Sequence, residues 1–148
     1  MTDATAIEAI VQTFFSAFTS GPECAERLDA LPEVFLPEAI IVRTCGMTPT
    51  VYGVDDFIAP RLALLTGGTL IDFKEWVLSG SIEVFGDIGQ WYGSYAKSWV
   101  QDGESFTGKG MKTIQFVRTA AGWRISAAAW DDERDGIVIP AGRSTAAA

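Results

Sequence analysis

The chain contains no histidine. This excludes histidine-activated nucleophiles, imidazole acid–base work and histidine-ligated zinc, because no other side chain titrates near neutrality without a shift from its surroundings. Cysteine is nearly as scarce: Cys24 and Cys45 are the two present, and without an export signal they are expected to be reduced packing residues. A metal site would have to rest on carboxylates alone or on those thiols, so neither metal nor cofactor is expected. Basic residues are outnumbered, 11 against 19 acidic, for a formal charge of −8. A phosphate backbone would be repelled, which argues against nucleic acid as a partner. No apolar run approaches the ~20 residues that span a bilayer, and the N-terminus lacks the layout of a signal peptide. A soluble, cytoplasmic protein with no membrane partner is the expectation.

What is present suits one ordinary domain. The 148 residues are 48% hydrophobic, enough for a substantial core. We place that domain at residues 1–139 and expect residues 140–148 to form a mobile tail with little to pack. From Thr5 to Ser20 the residues Ile7, Ile10, Val11, Phe14, Phe15 and Phe18 recur at spacings of three and four, which predicts a helix with one apolar face. Thr5 and Glu8 read as its capping box, and Gly21-Pro22 as its stop. Glu23 to Phe35 predicts two short helical turns interrupted by Pro32. Ala39 to Cys45 predicts a strand, Gly46 to Gly53 a loop or hairpin return, and the stretch after Asp55-Asp56 a helix whose regular part begins near Pro60.

All five tryptophans lie between Leu70 and Asp132, in strand-like runs broken by glycine-bearing turns. Rings concentrated in one sheet must line a core, a ligand cavity or a subunit interface. Asp102-Gly103 predicts a tight hairpin, which sets a register: Trp99 faces Phe106, Lys97 faces Gly108, Tyr95 faces Gly110 and Trp91 faces Ile114. A second hairpin at Ala120-Ala121 sets Arg118 opposite Trp123 and Phe116 opposite Ile125. Carried onward, it sets Ile114 opposite Ala127, Lys112 opposite Ala129 and Gly110 opposite Asp131. One face then carries Trp91, Tyr95, Trp99, Lys112, Ile114, Ala127, Ala129 and Asp131, and the other Tyr92, Met111, Gln115 and Trp130. Gly93, Gly108 and Gly110 cluster mid-ladder, where missing side chains allow strong bending. A bent sheet with helices in its hollow makes a cone.

This order of elements, with its long meander ending in Gly122-Trp123-Arg124-Ile125, resembles the nuclear transport factor 2-like superfamily over Ile7 to Asp132. The hairpin from Thr113-Ile114-Gln115-Phe116-Val117-Arg118 into Gly122-Trp123-Arg124-Ile125 is its most specific piece. It looks like the last two strands of many small bacterial members of the polyketide-cyclase-like and ketosteroid-isomerase-like kinds. The resemblance implies an α+β fold: a cone-shaped, strongly curved antiparallel sheet with N-terminal helices packed in its concave face, the cystatin-like α+β roll. It also implies a pocket between sheet and helices, and a homodimer through the open sheet face. Members similar to ketosteroid isomerase, scytalone dehydratase and limonene epoxide hydrolase use the pocket for proton transfer on hydrophobic substrates. Others bind ligands or merely associate. This chain departs from the catalytic pattern, with Ile114 about where an isomerase-like carboxylate would project and Ala127 or Ala129 about where strand-end histidines stand.

Asp131 is therefore the candidate acid or base on the concave face; its alternative is a solvent-facing cap within Asp131-Asp132-Glu133-Arg134-Asp135. Lys112 is read either as a buried partner of Asp131 or as a rim lysine with its stem packed on Trp91 or Tyr95. Arg43 is an anion clamp if it points inward, and Tyr52 either a phenol donor at the pocket mouth or a loop anchor. Phe18, Trp76, Trp91, Tyr95, Trp99, Ile114, Ala127 and Ala129 complete the expected lining. On the opposite face Tyr92, Gln115 and Trp130 are expected to meet a second copy. Three functions follow: a pocket for a small hydrophobic molecule, which we favour; an isomerase-, dehydratase- or cyclase-like enzyme using a carboxylate; or a non-catalytic association domain with a filled core.

Overall fold

The computed structural model describes residues 1–144. Helix α1 (Asp3–Ala17) buries Ile7, Val11, Phe14 and Phe15, and each such side chain contributes roughly 1.5–3 kcal/mol on leaving water. It begins before the predicted start because Thr2, not Thr5, is the cap: the Thr5 amide donates to Thr2 Oγ1 at 3.1 Å. Helix α2 (Cys24–Ala30) passes into a 3₁₀ turn (Leu31–Val34) at Pro32, the two short pieces expected. Strand β1 (Phe35–Arg43) and the short β2 (Thr50–Tyr52) form the hairpin return. Helix α3 (Val54–Thr66) runs through Pro60 instead of starting there.

The remaining strands are β3 (Ile71–Phe85), β4 (Ile88–Gln101), β5 (Glu104–Thr119) and β6 (Gly122–Asp132). They form one six-stranded sheet in the order β2-β1-β6-β5-β4-β3, antiparallel except for the parallel pairing of β1 with β6. The β4–β5 register is the predicted one throughout, from Gln101 opposite Glu104 to Trp91 opposite Ile114. Asp102 and Gly103 take the positive φ values, 52° and 79°, that the tight turn demands. Strand β3 is continuous across Ser79-Gly80-Ser81, with a bulge between Val77 and Ser79 that absorbs the interruption. The indole of Trp91 lies over Gly80 and Gly93, which face each other, so those glycines make room for the ring as well as for curvature.

Strand β6 departs from the predicted register at one point. Phe116 faces Ile125 as expected, but Gln115 faces Ala127, leaving Ser126 as an extra residue whose hydroxyl donates to the Gln115 carbonyl at 3.3 Å. From there every partner is displaced by one: Ile114 meets Ala128, Lys112 meets Trp130 and Gly110 meets Asp132. A one-residue displacement exchanges the faces. Ala128, Trp130 and Asp132 turn inward, while Ala127, Ala129 and Asp131 lie on the outer face.

The hollow of the sheet is filled by α1 and α3 around a cluster in which Phe14 meets Phe18, Phe35 and Phe57 at centroid separations of 5.3–6.4 Å. On the outer face Ile139 packs with Leu78, Ala96 and Met111. There too Arg143 Nη1 donates to the Tyr92 carbonyl at 2.9 Å, and Ser94 Oγ donates to the Arg143 carbonyl at 2.5 Å. Residues 140–144 of the expected tail are thus laid on the sheet, and 145–148 fall outside the described residues. Among the described residues no helix is long and apolar enough to cross a membrane.

Candidate functional site: a polar cluster at the base of an aromatic cavity

A cavity of about 360 Å³ opens between the concave sheet and α3. Phe18, Phe57, Leu65, Leu70, Phe73 and Trp99 supply apolar walls, and Trp130 closes one side. Its base is polar, because glycines on β5 let long side chains from β4 lie across the sheet. Tyr95, Gly110 and Asp132 occupy one rung of three neighbouring strands. With no side chain at Gly110, the Tyr95 ring crosses β5 and its hydroxyl donates to Asp132 Oδ1 in a short hydrogen bond. One rung on, Lys97 lies over Gly108 and its Nζ reaches Asp132 Oδ2 at 3.0 Å.

Lys112 lies deeper. Its ammonium pairs with Glu75 Oε1 at 3.0 Å, and the two side chains are 4% and 12% exposed. Four rings surround it, Phe15 and Phe14 at 4.6 and 4.7 Å, Tyr95 at 5.1 Å and Trp130 at 5.6 Å to the centroids. Such faces favour a cation. Burial nevertheless pulls the Lys112 pKa below the ordinary lysine value, against the opposing pull of Glu75. At Asp132, burial pushes upward, but the Tyr95 hydrogen bond and the Lys97 charge outweigh it and hold the carboxyl below its ordinary range. Burial and the neighbouring carboxylate push the Tyr95 phenol upward, so it keeps its proton. The cluster is an ionised carboxylate fed by two donors beside a caged ammonium.

Of the residues expected to line a pocket, Phe18, Arg43, Tyr52, Tyr95, Trp99 and Lys112 do so. Trp91 and Ile114 share their face but are packed into the core, 1% and 0% exposed. Trp76 pairs with Ala96 and lies on the outer face, beside Lys109 and Glu133. Ala127 and Ala129 are turned outward by the β6 bulge, and so is Asp131, whose carboxylate pairs with Arg134 at 2.5 Å. That hydrogen bond holds Asp131 below its ordinary carboxyl range, the opposite of a raised acid. Trp130, expected at a dimer face, stands in the cavity, whereas Tyr92 and Gln115 are exposed on the outer face.

Several lining residues were missed. Lys97 shares strand parity with Tyr95 and Trp99, a signal available in the sequence. Arg61 follows Phe57 by four residues, the spacing that stacks two side chains on one helix face. Glu75 faces Lys97 across β3 and β4, but that pairing becomes readable only once the bulge beside Leu78 is known.

The depressed carboxyl groups set an expectation for acid stability. Asp132, Asp131 and Asp3 each have a folded-state pKa below the ordinary 3.8. Between the folded and ordinary values the unfolded chain binds more protons. Their contribution is therefore complete above the ordinary value and is lost as pH falls through the folded one. Urea midpoints should hold from about pH 7 to about pH 5 and drop below about pH 4, with a smaller drop in Asp132→Asn. A drop of equal size in that variant would remove Asp132 from the account.

No family model matches the sequence, and no curated protein is found to be similar to it. Solved structures do resemble it. A nuclear transport factor 2-like protein with a cystatin-like fold from Novosphingobium aromaticivorans superposes with a TM-score of 0.69 at 18% identity, covering 95% of this chain and 86% of that one. A nuclear transport factor 2-like superfamily protein from Salmonella enterica gives 0.71 at 13% identity, with 93% and 96% covered. A protein with a cystatin-like fold from Caulobacter vibrioides gives 0.68 at 17% identity, with 89% and 90% covered. Identities this low speak to architecture alone: the chain has the cystatin-like α+β fold that these structures share.

Proposed function

We propose that the protein binds a small, largely apolar molecule in the cavity between the sheet and α3. The observation that carries this reading is the cavity itself: about 360 Å³, walled by aromatic and aliphatic side chains, with a hydrogen-bonded polar cluster at its base. Ligand sites are commonly apolar spaces of ~300–1,000 Å³ in which a few polar groups fix orientation. The wiring of those groups supports binding over turnover. Tyr95 and Lys97 each spend a donor on Asp132, which holds the carboxyl ionised with both oxygens engaged, so it has no proton to give and is a weak base. Glu75 is committed to Lys112.

Isothermal titration calorimetry with a naphthalene carboxamide tests the reading. One molecule per chain should bind with a Kd below about 1 mM. Leu64→Trp, which places a large ring among the lining residues, should weaken binding at least about tenfold, roughly 1.4 kcal/mol. No binding heat in the unmodified protein, or equal heat in the variant, would remove this cavity as the site.

A further inference from the structure

The charges around the cavity do not balance. Arg43, Arg61, Lys97 and Lys112 line it against two carboxylates, Glu75 and Asp132, an excess of two positive charges in a chain of net charge −8. Two of the cations are accounted for: Lys97 pairs with Asp132 and Lys112 with Glu75, each at 3.0 Å. Among the described residues Arg43 and Arg61 form no ion pair. In an acidic protein, arginines unaccompanied by carboxylates at a concave surface require a reason, since removing a cation from water without a counter-charge is costly.

Arg61 is the more informative of the two. Its guanidinium lies over the Phe57 ring at 3.9 Å, with Tyr52 and Trp130 at 5.3 and 5.4 Å. Nη1 donates to the Phe57 carbonyl at 2.9 Å, four residues back on α3, which holds the group in place. A guanidinium has five N–H donors in a rigid fork, and the Phe57 carbonyl takes one of them. Burial already pulls its pKa below the ordinary arginine value, a penalty that a bound anion would relieve. Arg43, from the inner face of β1, reaches the same cavity. The result is a fork of donors held among aromatic faces, a geometry that accepts a planar carboxylate in two parallel hydrogen bonds while its body rests on rings.

We infer that the molecule bound in this cavity is an apolar carboxylate, with its anionic head on Arg61 and Arg43 and its body against Trp130, Phe57 and Trp99. This rests on the cavity being a binding site at all. The lysines serve a different purpose, since each is neutralised by the protein and shapes the base of the cavity without claiming the ligand's charge.

A matched pair of probes separates the two claims. A naphthalene carboxylate and the corresponding carboxamide have the same shape and differ in charge, and calorimetry on the unmodified protein requires no variant to fold. The carboxylate should bind at least about tenfold more tightly than the amide, with the preference shrinking as salt is raised. In Arg61→Met, and separately in Arg43→Met, the carboxylate's advantage over the amide should shrink to within about threefold, a ratio measured inside each variant. Equal affinities in the unmodified protein would overturn the anion inference and leave the cavity reading intact. Binding of neither probe would overturn both. A carboxylate preference that persists in both arginine variants would move the charge recognition to the lysines and overturn the assignment to Arg61 and Arg43.

Discussion

Lys112→Met should lower the stability of the fold by about 3–5 kcal/mol, because it leaves the Glu75 carboxylate at the base of the cavity without its partner. The pair lies at 3.0 Å with side chains 4% and 12% exposed, so little water is available to replace the ammonium. The methionine preserves most of the volume among Phe14, Phe15, Tyr95 and Trp130, which restricts the change to charge. The double variant Lys112→Met/Glu75→Leu removes both charges and should recover most of the loss, since an apolar pair avoids the desolvation that the ion pair had to overcome. Urea unfolding of the four chains of this cycle measures the coupling. If Lys112→Met alone cost less than about 1 kcal/mol, Glu75 would have to be hydrated and the buried pair would be a surface one in disguise.

Gly110→Ala should cost about 1–3 kcal/mol and detach Tyr95 from Asp132. A Cβ built on Gly110 falls on the Tyr95 hydroxyl and on the Asp131 carbonyl, both closer than real Cβ contacts come. The ring can swing away, but the carbonyl belongs to the paired backbone of β6 and can yield only if that strand moves. Gly110 does not lie in the left-handed region, so the penalty is one of space and not of backbone conformation. Adding Tyr95→Phe removes the hydroxyl but leaves the ring carbon Cζ 2.7 Å from the built Cβ, so it should reduce the cost of Gly110→Ala only in part, with the remainder shared by the ring and the strand. A Gly110→Ala chain as stable as the parent, with its Tyr95 environment unchanged in near-ultraviolet circular dichroism, would show that the rung does not depend on an absent side chain.

Both experiments probe features that the sequence discloses unevenly. Tyr95 opposite Gly110 is legible because Asp102-Gly103 admits one kind of turn, and in a strand ladder each pair then follows from the last. The same logic led to Asp131 and stopped one residue short of Asp132. Up to Ile125 the alternation of apolar and polar residues, Ile114-Gln115-Phe116 against Trp123-Arg124-Ile125, pins the ladder. Ser126-Ala127-Ala128-Ala129 presents nearly the same surface in either parity, so nothing in the side chains registers a displacement. The Ser126 hydroxyl reaching the Gln115 carbonyl is a tertiary fact. Beyond it, Trp130 and Asp132 exchange places with Ala129 and Asp131.

The same distinction holds for charge. Composition alone showed an acidic, histidine-free chain and so constrained its chemistry, and local periodicity showed the helix faces, the hairpins and the curved sheet. These are properties of neighbours along the chain, set by turn geometry and by periods of 3.6 and 2. Which charges meet is another matter. Lys112 and Glu75 are 37 residues apart, as are Tyr95 and Asp132; the first pair comes together only after a bulge has reset the parity of β3, and the second only after a bulge has reset that of β6. A bulge is chosen by the packing of the whole sheet against its helices, so the selection of Asp132 over Asp131, and of two unpaired arginines as the free charge of the cavity, belonged to the folded molecule.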